Sequence, residues 1–349
     1  MNEMKKISIV FLCGDRSPYG MAHLAVIAEC FDVKAIIIAD NDRWGIFRQC
    51  LLGGEIHCYT KRSKRFFSTI KEIAKKPLVL YRKIKHKKLL NSFGVPVIEL
   101  NDANSKESII LISKFSPEVL ISAAYPQIFD QKLISITPRG AVNFHPSLLP
   151  KFRGAHPHYW CLATGEKQSG VTAHFMTSRI DDGDIIAKRS FSLDNLYYAD
   201  LYKKIIETTP ELVRDVAFFL DDPNARPVPQ GLNEVTSFRN DREIHRRLDF
   251  NSMNSQELFN RIRAGGGYTL HRGVRLYIEK VEVVGHNRHM TNNLSVPAGT
   301  IVDISAEGVV IFTVDHAFLV LKRVRWGRKA NSFVEWVRKF DINIGEILV

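Results

Sequence analysis

Short apolar runs alternate with stretches of helical spacing through roughly the first two thirds of the chain. Lys6 to Leu12 is apolar and β-branched and predicts a first strand, Met21 to Cys30 has helical spacing, and Val33 to Ala39 predicts a second strand. This β-α-β opening implies a parallel sheet with a right-handed crossover. Val95 to Ile98 and Val119 to Ala123 continue it, with a helix between them starting at Ser105-Lys106-Glu107-Ser108. Ala141 to His145 and Gly170 to Met176 predict two more strands, and Tyr198 to Leu220 a long amphipathic helix. Then the pattern changes. Asp221 to Gly231 is broken by Pro223, Pro227 and Pro229 and predicts a linker. Beyond a helix within Asp249 to Ala264, the period shortens to two. Val274 to Val284, Gly299 to Ile304, Gly308 to Val314 and Ala317 to Val324 predict short strands at close spacing, hence a small β-barrel. The expected architecture is α/β: a Rossmann-like parallel-sheet domain over residues 1–222, a linker over 223–245 and a β-barrel domain over 246–349.

Composition narrows this picture. A length of 349 residues suits two domains, and no apolar run is long enough to cross a bilayer. The start, MNEMKKISIVFLCG, is interrupted by Asp15 and Arg16, so a buried strand is a better reading than a signal peptide. Five cysteines, an odd number with no C-x-x-C, argue against structural zinc and against a disulfide framework. Reduced cysteines in a cytoplasmic protein are the expectation. Gly14 and Gly20 are too far apart for a dinucleotide fingerprint, which removes that reading of the Rossmann-like order.

The formal charge of +12 is local rather than general. Lys61 to Lys88 holds twelve Lys and Arg against Glu72 alone, a net of +11. Phe66, Ile70, Ile73 and Ala74 fall on one helical face there, Pro77 ends that helix, and Leu78 to Leu90 is spaced for another. A basic amphipathic insert over residues 61–90 binds membrane surfaces or RNA in some proteins and is a solvated lid or packing element in others. Both readings stay open.

The candidate chemistry lies between Gly140 and Asp184. Asn143 and His145 leave one face of a predicted strand, Pro146 ends that strand, and Asp181 sits in an Asp-Asp-Gly-Asp turn. An amide donates to a developing oxyanion, and an imidazolium donates a second bond or a proton. A neighbouring carboxylate is expected to keep the imidazole charged. The trio suits acyl transfer in which the substrate brings the nucleophile, because no Ser or Cys lies in a nucleophile-elbow pattern. Singly, each residue reads as plainly as a buried amide, a core histidine or a turn aspartate. His156 and His158 are two apart, but no carboxylate or cysteine completes a ligand set, so no metal is expected.

Asn143-Phe144-His145-Pro146-Ser147-Leu148-Leu149-Pro150 and Ile180-Asp181-Asp182-Gly183-Asp184 resemble the N-x-H-P-S-L-L-P run and the later x-D-x-G motif of the folate-dependent formyltransferases. That family joins glycinamide ribonucleotide formyltransferase, methionyl-tRNA formyltransferase and the nucleotide-sugar N-formyltransferases. The resemblance implies an enzyme with 10-formyltetrahydrofolate as co-substrate. Asn143 and His145 would polarise the formyl group and Asp181 would hold His145. It further implies folate contacts from Gln127, Ile128 and Phe129 in one loop, with Phe129 equally readable as core, and from Thr177, Ser178, Arg179 and Ile180 in another. The order of elements beyond residue 246 resembles the OB-like C-terminal domain of the tRNA and nucleotide-sugar enzymes.

The expected acceptor is the primary amine of a nucleotide-linked amino sugar. Gly154-Ala155-His156-Pro157-His158-Tyr159-Trp160 departs from the Ala-Ala-Pro-Ile that typically follows Arg-Gly in the tRNA enzymes. Methionyl-tRNA is the alternative, favoured by the charge of +12. A third reading, from another class, is an inactive relative that binds membrane or RNA through the insert; the intact Asn143, His145 and Asp181 stand against it.

Overall fold

A computed structural model describes residues 6–14, 17–39, 90, 92–231, 233–238, 243–284, 296–326 and 329–349. Residues 61–89 of the basic insert, Cys50 and Cys58 lie outside the described residues. The chain divides into two compact units: residues 1–157, 169–192 and 201–238, and residues 158–168, 193–200 and 239–349.

The first unit is built on a seven-stranded sheet. Its strands are β1 (Ser8–Gly14), β2 (Asp32–Ala39), β3 (Val97–Leu100), β4 (Val119–Ala123), β5 (Ala141–His145), β7 (Gln168–Phe175) and β8 (Ile185–Ser192), and its order is β3-β2-β1-β4-β5-β7-β8. A separate two-stranded ribbon pairs β6 (Arg153–Gly154) with β9 (Ser237–Phe238) in parallel. The five strands from β3 to β5 are parallel, and β7 runs antiparallel to β5. The order reverses between β1 and β4, where open α/β sheets bind ligands beyond the strand ends.

The helices start where local chemistry dictates. α1 (Pro18–Cys30) begins three residues before the helical spacing suggests, because Ser17 accepts from the Gly20 N–H and Pro18 takes the first helical position. α2 (Lys106–Ser113) is capped by Ser105 and the short α3 (Gln131–Ile134) by Asp130. α4 (Pro157–Ala163) and α5 (Tyr198–Asp221) follow. On one side of the sheet, Val10, Leu12, Ile37, Leu120, Phe129 and Leu133 are buried in one cluster.

Residues 223–231 and 233–238 are not a free linker. Val228 bridges Ile185 through a pair of 2.8 Å backbone hydrogen bonds, and β9 pairs with β6, so the prolines there shape a strap on the first unit. β8 escaped the sequence reading because the consecutive Lys188, Arg189 and Ser190 break its apolar run and put polar side chains on both faces.

The second unit is a six-stranded antiparallel sheet of β10 (Gly267–His271), β11 (Val274–Val284), β12 (Ile301–Ser305), β13 (Gly308–Phe312), β14 (Phe318–Trp326) and β15 (Lys329–Ser332). Its order is β10-β11-β14-β13-β12, with β15 on β14. The C-terminal residues close the two open edges. Val349 exchanges hydrogen bonds with Leu270 of β10, while Leu348 donates to Gly299 and Ile301 donates to Glu346. Closure leaves fewer unpaired edge groups, the physical advantage of a barrel over an open sheet. Leu276, Ile278, Ile301, Ile311, Leu321 and Trp336 fill the interior. α6 (Ser255–Arg263) and α7 (Phe333–Phe340) each start in a reciprocal capping box, Asn254 with Glu257 and Ser332 with Glu335.

Candidate active site

β5 presents Asn143 and His145 on the same face, as the alternation requires. In the antiparallel ladder, Asn143 lies opposite His174 and His145 opposite Thr172 of β7, so all four share that face. The loop after β5 folds back under specific holds. Thr172 Oγ1 donates to the Ser147 carbonyl at 2.6 Å and accepts from the Leu149 N–H at 3.1 Å. The Phe152 N–H donates to Thr236 Oγ1 at 2.8 Å. This brings the Phe152 carbonyl to 2.9 Å from His145 Nε2, which therefore carries a proton.

Asp181 enters from the turn after β7, with a left-handed backbone (φ 50°) that Asp tolerates better than most residues. Gly183 is required beside it, since a Cβ there would stand 2.0 Å from the Phe175 carbonyl oxygen. Asp181 Oδ2 accepts from the Gly154 N–H at 2.9 Å and lies 3.4 Å from His145 Nδ1. Asp181 Oδ1 lies 3.4 Å from Asn143 Nδ2 and 3.5 Å from His174 Nε2. The structure thus brings the predicted trio together.

Two features differ from expectation. His174 is an additional member, donating from Nδ1 to the Phe175 carbonyl at 2.8 Å and facing Asn143 Nδ2 with Nε2 at 3.3 Å. The sequence signal for it was the pairing of β5 with β7, which places a second polar residue two after Thr172. The other is a correction. Burial pulls the His145 pKa down from its ordinary value, and Asp181 lifts it only part of the way back. The resting imidazole is neutral rather than held charged. Asp181 itself is held well below the usual carboxylate range: burial would raise it, but His145, His174 and the Gly154 N–H together outweigh that. The site is a buried carboxylate flanked by two imidazoles and an amide, joined by contacts of 3.3 to 3.5 Å that are loose enough to exchange for a substrate oxygen.

The loop candidates divide by exposure. Gln127 uses its side chain internally, accepting from the Ala103 N–H at 2.9 Å and donating to the Asn101 carbonyl. Phe129 is fully buried in the core and Ile128 is 56% exposed. In the other loop, Thr177 donates to Asp182 Oδ1 at 2.6 Å, and Arg179 pairs with Asp182. Ser178, Arg179 and Ile180 are exposed. Gln127, Phe129 and Thr177 thus shape the two loops, whereas Ile128, Ser178, Arg179 and Ile180 are their outward surface. His158 packs against Tyr198 at 5.1 Å between ring centroids. Among the described residues, no group of three or more His, Cys, Asp or Glu is arranged to hold a metal ion.

Residues 53–216 match the formyl transferase family and residues 242–341 the formyl transferase C-terminal domain. The methionyl-tRNA formyltransferase of Natranaerobius thermophilus is 30% identical over 264 residues, 74% of this chain and 83% of that one. The enzyme of the same name from Clostridioides difficile is 28% identical over 75% of this chain and 84% of that one. Among solved structures, a sugar 3N-formyl transferase crystallised with dTDP and 5-N-formyl-THF aligns over 91% of this chain and 98% of its own, with a TM-score of 0.59 and 15% identity. An N-formyltransferase from Helicobacter canadensis, in complex with folinic acid and dTDP-3-aminofucose, aligns over 91% and 99% with a TM-score of 0.57 and 18% identity. These likenesses establish the two-part fold.

Proposed function

The chain belongs to the 10-formyltetrahydrofolate-dependent formyltransferase family, and we propose that it moves the formyl group to the primary amine of a nucleotide-linked amino sugar. The observation that carries formyl transfer is the position of Asp181, with one carboxylate oxygen toward Asn143 and the other toward His145. As the amine nitrogen bonds to the formyl carbon, negative charge grows on the formyl oxygen. Asn143 exchanges its weak contacts for that oxygen. His145 turns its Nε2–H from the Phe152 carbonyl to hydrogen-bond the oxyanion while keeping that proton, and its other nitrogen takes the proton that the amine sheds, Asp181 stabilising the imidazolium so formed. The bond from formyl carbon to folate nitrogen then breaks. The amine loses one proton and the folate nitrogen gains one, so His145 relays a proton with no net change.

The distribution of charge supports a small acceptor. Arg323 and Arg325 both bond Glu279, Lys322 lies beside Glu282 and Glu307, and Arg272 grips Glu346. These barrel cations are engaged by carboxylates instead of forming a track for many phosphates. The segment from Gly154 to Trp160 also departs from the tRNA-enzyme pattern. One observation favours a second reading: the sequence relatives from Natranaerobius thermophilus and Clostridioides difficile carry the name methionyl-tRNA formyltransferase. A side-by-side assay with one folate donor, dTDP- and UDP-linked amino sugars and methionyl-tRNA separates the two. The expected result is turnover of an amino-sugar nucleotide with modest salt dependence, since steep salt dependence is the mark of many phosphate contacts. Efficient formylation of methionyl-tRNA alone would replace the first reading by the second.

A further inference from the structure

We propose that Gln230 is a positioning residue for Asp181, an inference that rests on the formyl-transfer reading of the site. Gln230 lies in the proline-rich strap after α5, where the sequence shows only turn chemistry. Its side-chain amide is fully used. Nε2 donates to the Asp181 carbonyl at 2.9 Å and to the Gly183 carbonyl at 2.8 Å. Oε1 accepts from Arg153 Nε at 3.1 Å and from Arg153 Nη2 at 2.7 Å.

Those four bonds complete a ring. Arg153 adjoins Gly154, whose N–H donates to the Asp181 carboxylate. Gln230 therefore ties the main chain of Asp181 to the segment that binds its side chain. The restraint matters because Asp181 holds a left-handed backbone that few non-glycine residues adopt, and because its contacts to His145 and His174 are already 3.4 and 3.5 Å. A small rotation of the turn would part the carboxylate from both imidazoles, His145 on β5 and His174 on β7. A glutamine suits the position because a single planar group must donate twice and accept from a guanidinium fork.

The test uses the full chain and four variants: Gln230→Ala, Gln230→Glu, Asp181→Asn and the double variant Asp181→Asn/Gln230→Ala. Gln230→Glu keeps the acceptor for Arg153 and the side-chain size, but removes both donors to the turn. Turnover is followed with 10-formyltetrahydrofolate and whichever of a dTDP-linked amino sugar or methionyl-tRNA the wild type uses. Both Gln230 variants should lower kcat about 10- to 100-fold, the usual cost of losing an outer partner of a functional side chain, with KM for the folate unchanged. In the Asp181→Asn background, Gln230→Ala should cost less than about twofold more, because a residue acting through Asp181 has nothing left to position. By NMR, independently of any acceptor, the His145 titration midpoint should fall in Gln230→Ala, as it should also fall in Asp181→Asn. A purely structural role predicts a lowered melting temperature, additive losses and an unmoved midpoint; that pattern overturns the proposal, as does near-normal kcat in folded Gln230→Glu. Full turnover in Asp181→Asn would instead remove the formyl-transfer reading itself.

Discussion

Each unit contains a buried histidine beside a carboxylate, and the two pairs are built in opposite ways. In the barrel, His271 Nε2 lies 2.8 Å from Glu346 Oε2. Arg272 bonds both carboxylate oxygens of Glu346 at 2.6 and 3.0 Å, and the Asn343 N–H donates at 2.7 Å. Glu346 lies in the C-terminal segment that joins β12 to β10, so the pair clasps the closure. Asp181, in the first unit, meets each of its imidazoles at 3.4 Å or more and has one short bond, from Gly154. Short and fully partnered contacts spend a carboxylate on stability. Long contacts in a buried pocket leave it free to answer a change of charge.

The sharpest way to break the comparison is to truncate both sites. Asn143→Ala and His145→Ala should each lower turnover on the order of 10²- to 10³-fold, the usual loss for one oxyanion donor, and Asp181→Asn should lower it through His145. His271→Ala should leave turnover per folded molecule near wild type. Steady-state kinetics on folded variants checks this, and comparable losses at the two sites would erase the distinction.

The unequal legibility of the two sites has a physical origin. Asn143 and His145 were readable because strand alternation fixes which side chains share a face, and Asp181 because Asp-Asp-Gly-Asp demands a turn that only a glycine at 183 permits. His174 becomes visible once β5 and β7 are paired in register, a tertiary fact. Gln230 has no local signature at all, since its role depends on four bonds reaching back as far as residue 153. The neutral state of His145 was misread because a nearby carboxylate is evident in a sequence while burial, the larger effect here, is not. In the barrel, β11 to β14 announced themselves by alternation, but β10 and the closing tail did not, because Leu270 and Val349 gain meaning from each other. The basic segment 61–88 is conspicuous in sequence and lies outside the described residues.

A second expected effect is on stability. Glu346→Ala removes the shared partner of His271, Arg272 and the Asn343 N–H, leaving donors without an acceptor. The expected cost is about 1 to 3 kcal/mol, read as a lower urea midpoint at unchanged slope. Asp181→Asn should cost less, since its longer contacts hold less of the fold.

Acid should separate the pairs by where each begins to fail. His145 has a folded pKa below its unfolded value, so the unfolded chain binds the proton first. Its contribution is complete above about pH 6.5 and is lost as pH falls toward the folded value. His23, pushed down to about 3 by burial, behaves the same way over a wider range. Glu346 is lowered from 4.5 to about 2, so its contribution is complete above the unfolded value and is lost only below it. Between about pH 6.5 and 5, His23 should take away up to about 1.4 kcal/mol per pH unit, and His145 should add to that loss over the part of the range above its own folded value. Glu346→Ala should flatten the loss below about pH 4.5. Urea melts across that range check it; a loss below about pH 4.5 as steep in Glu346→Ala as in the wild type would remove the role given to Glu346.

The smallest expected effect isolates the guanidinium in the barrel clasp. Arg272 is half exposed, and its fork bonds both oxygens of Glu346 while also donating to the carbonyls of Phe340 and Asp341. Arg272→Lys keeps the charge and loses the planar two-point match, leaving one ammonium to choose among four acceptors. Solvent screens the exposed charge, so the change should cost no more than about 1 kcal/mol. The cost should persist at high salt, because what is lost is geometry rather than charge. Turnover should not move. If added salt abolished the difference between Arg272→Lys and wild type, the clasp would be an ordinary surface ion pair. The contrast with Asp181 would then rest on His271 and the Asn343 N–H alone.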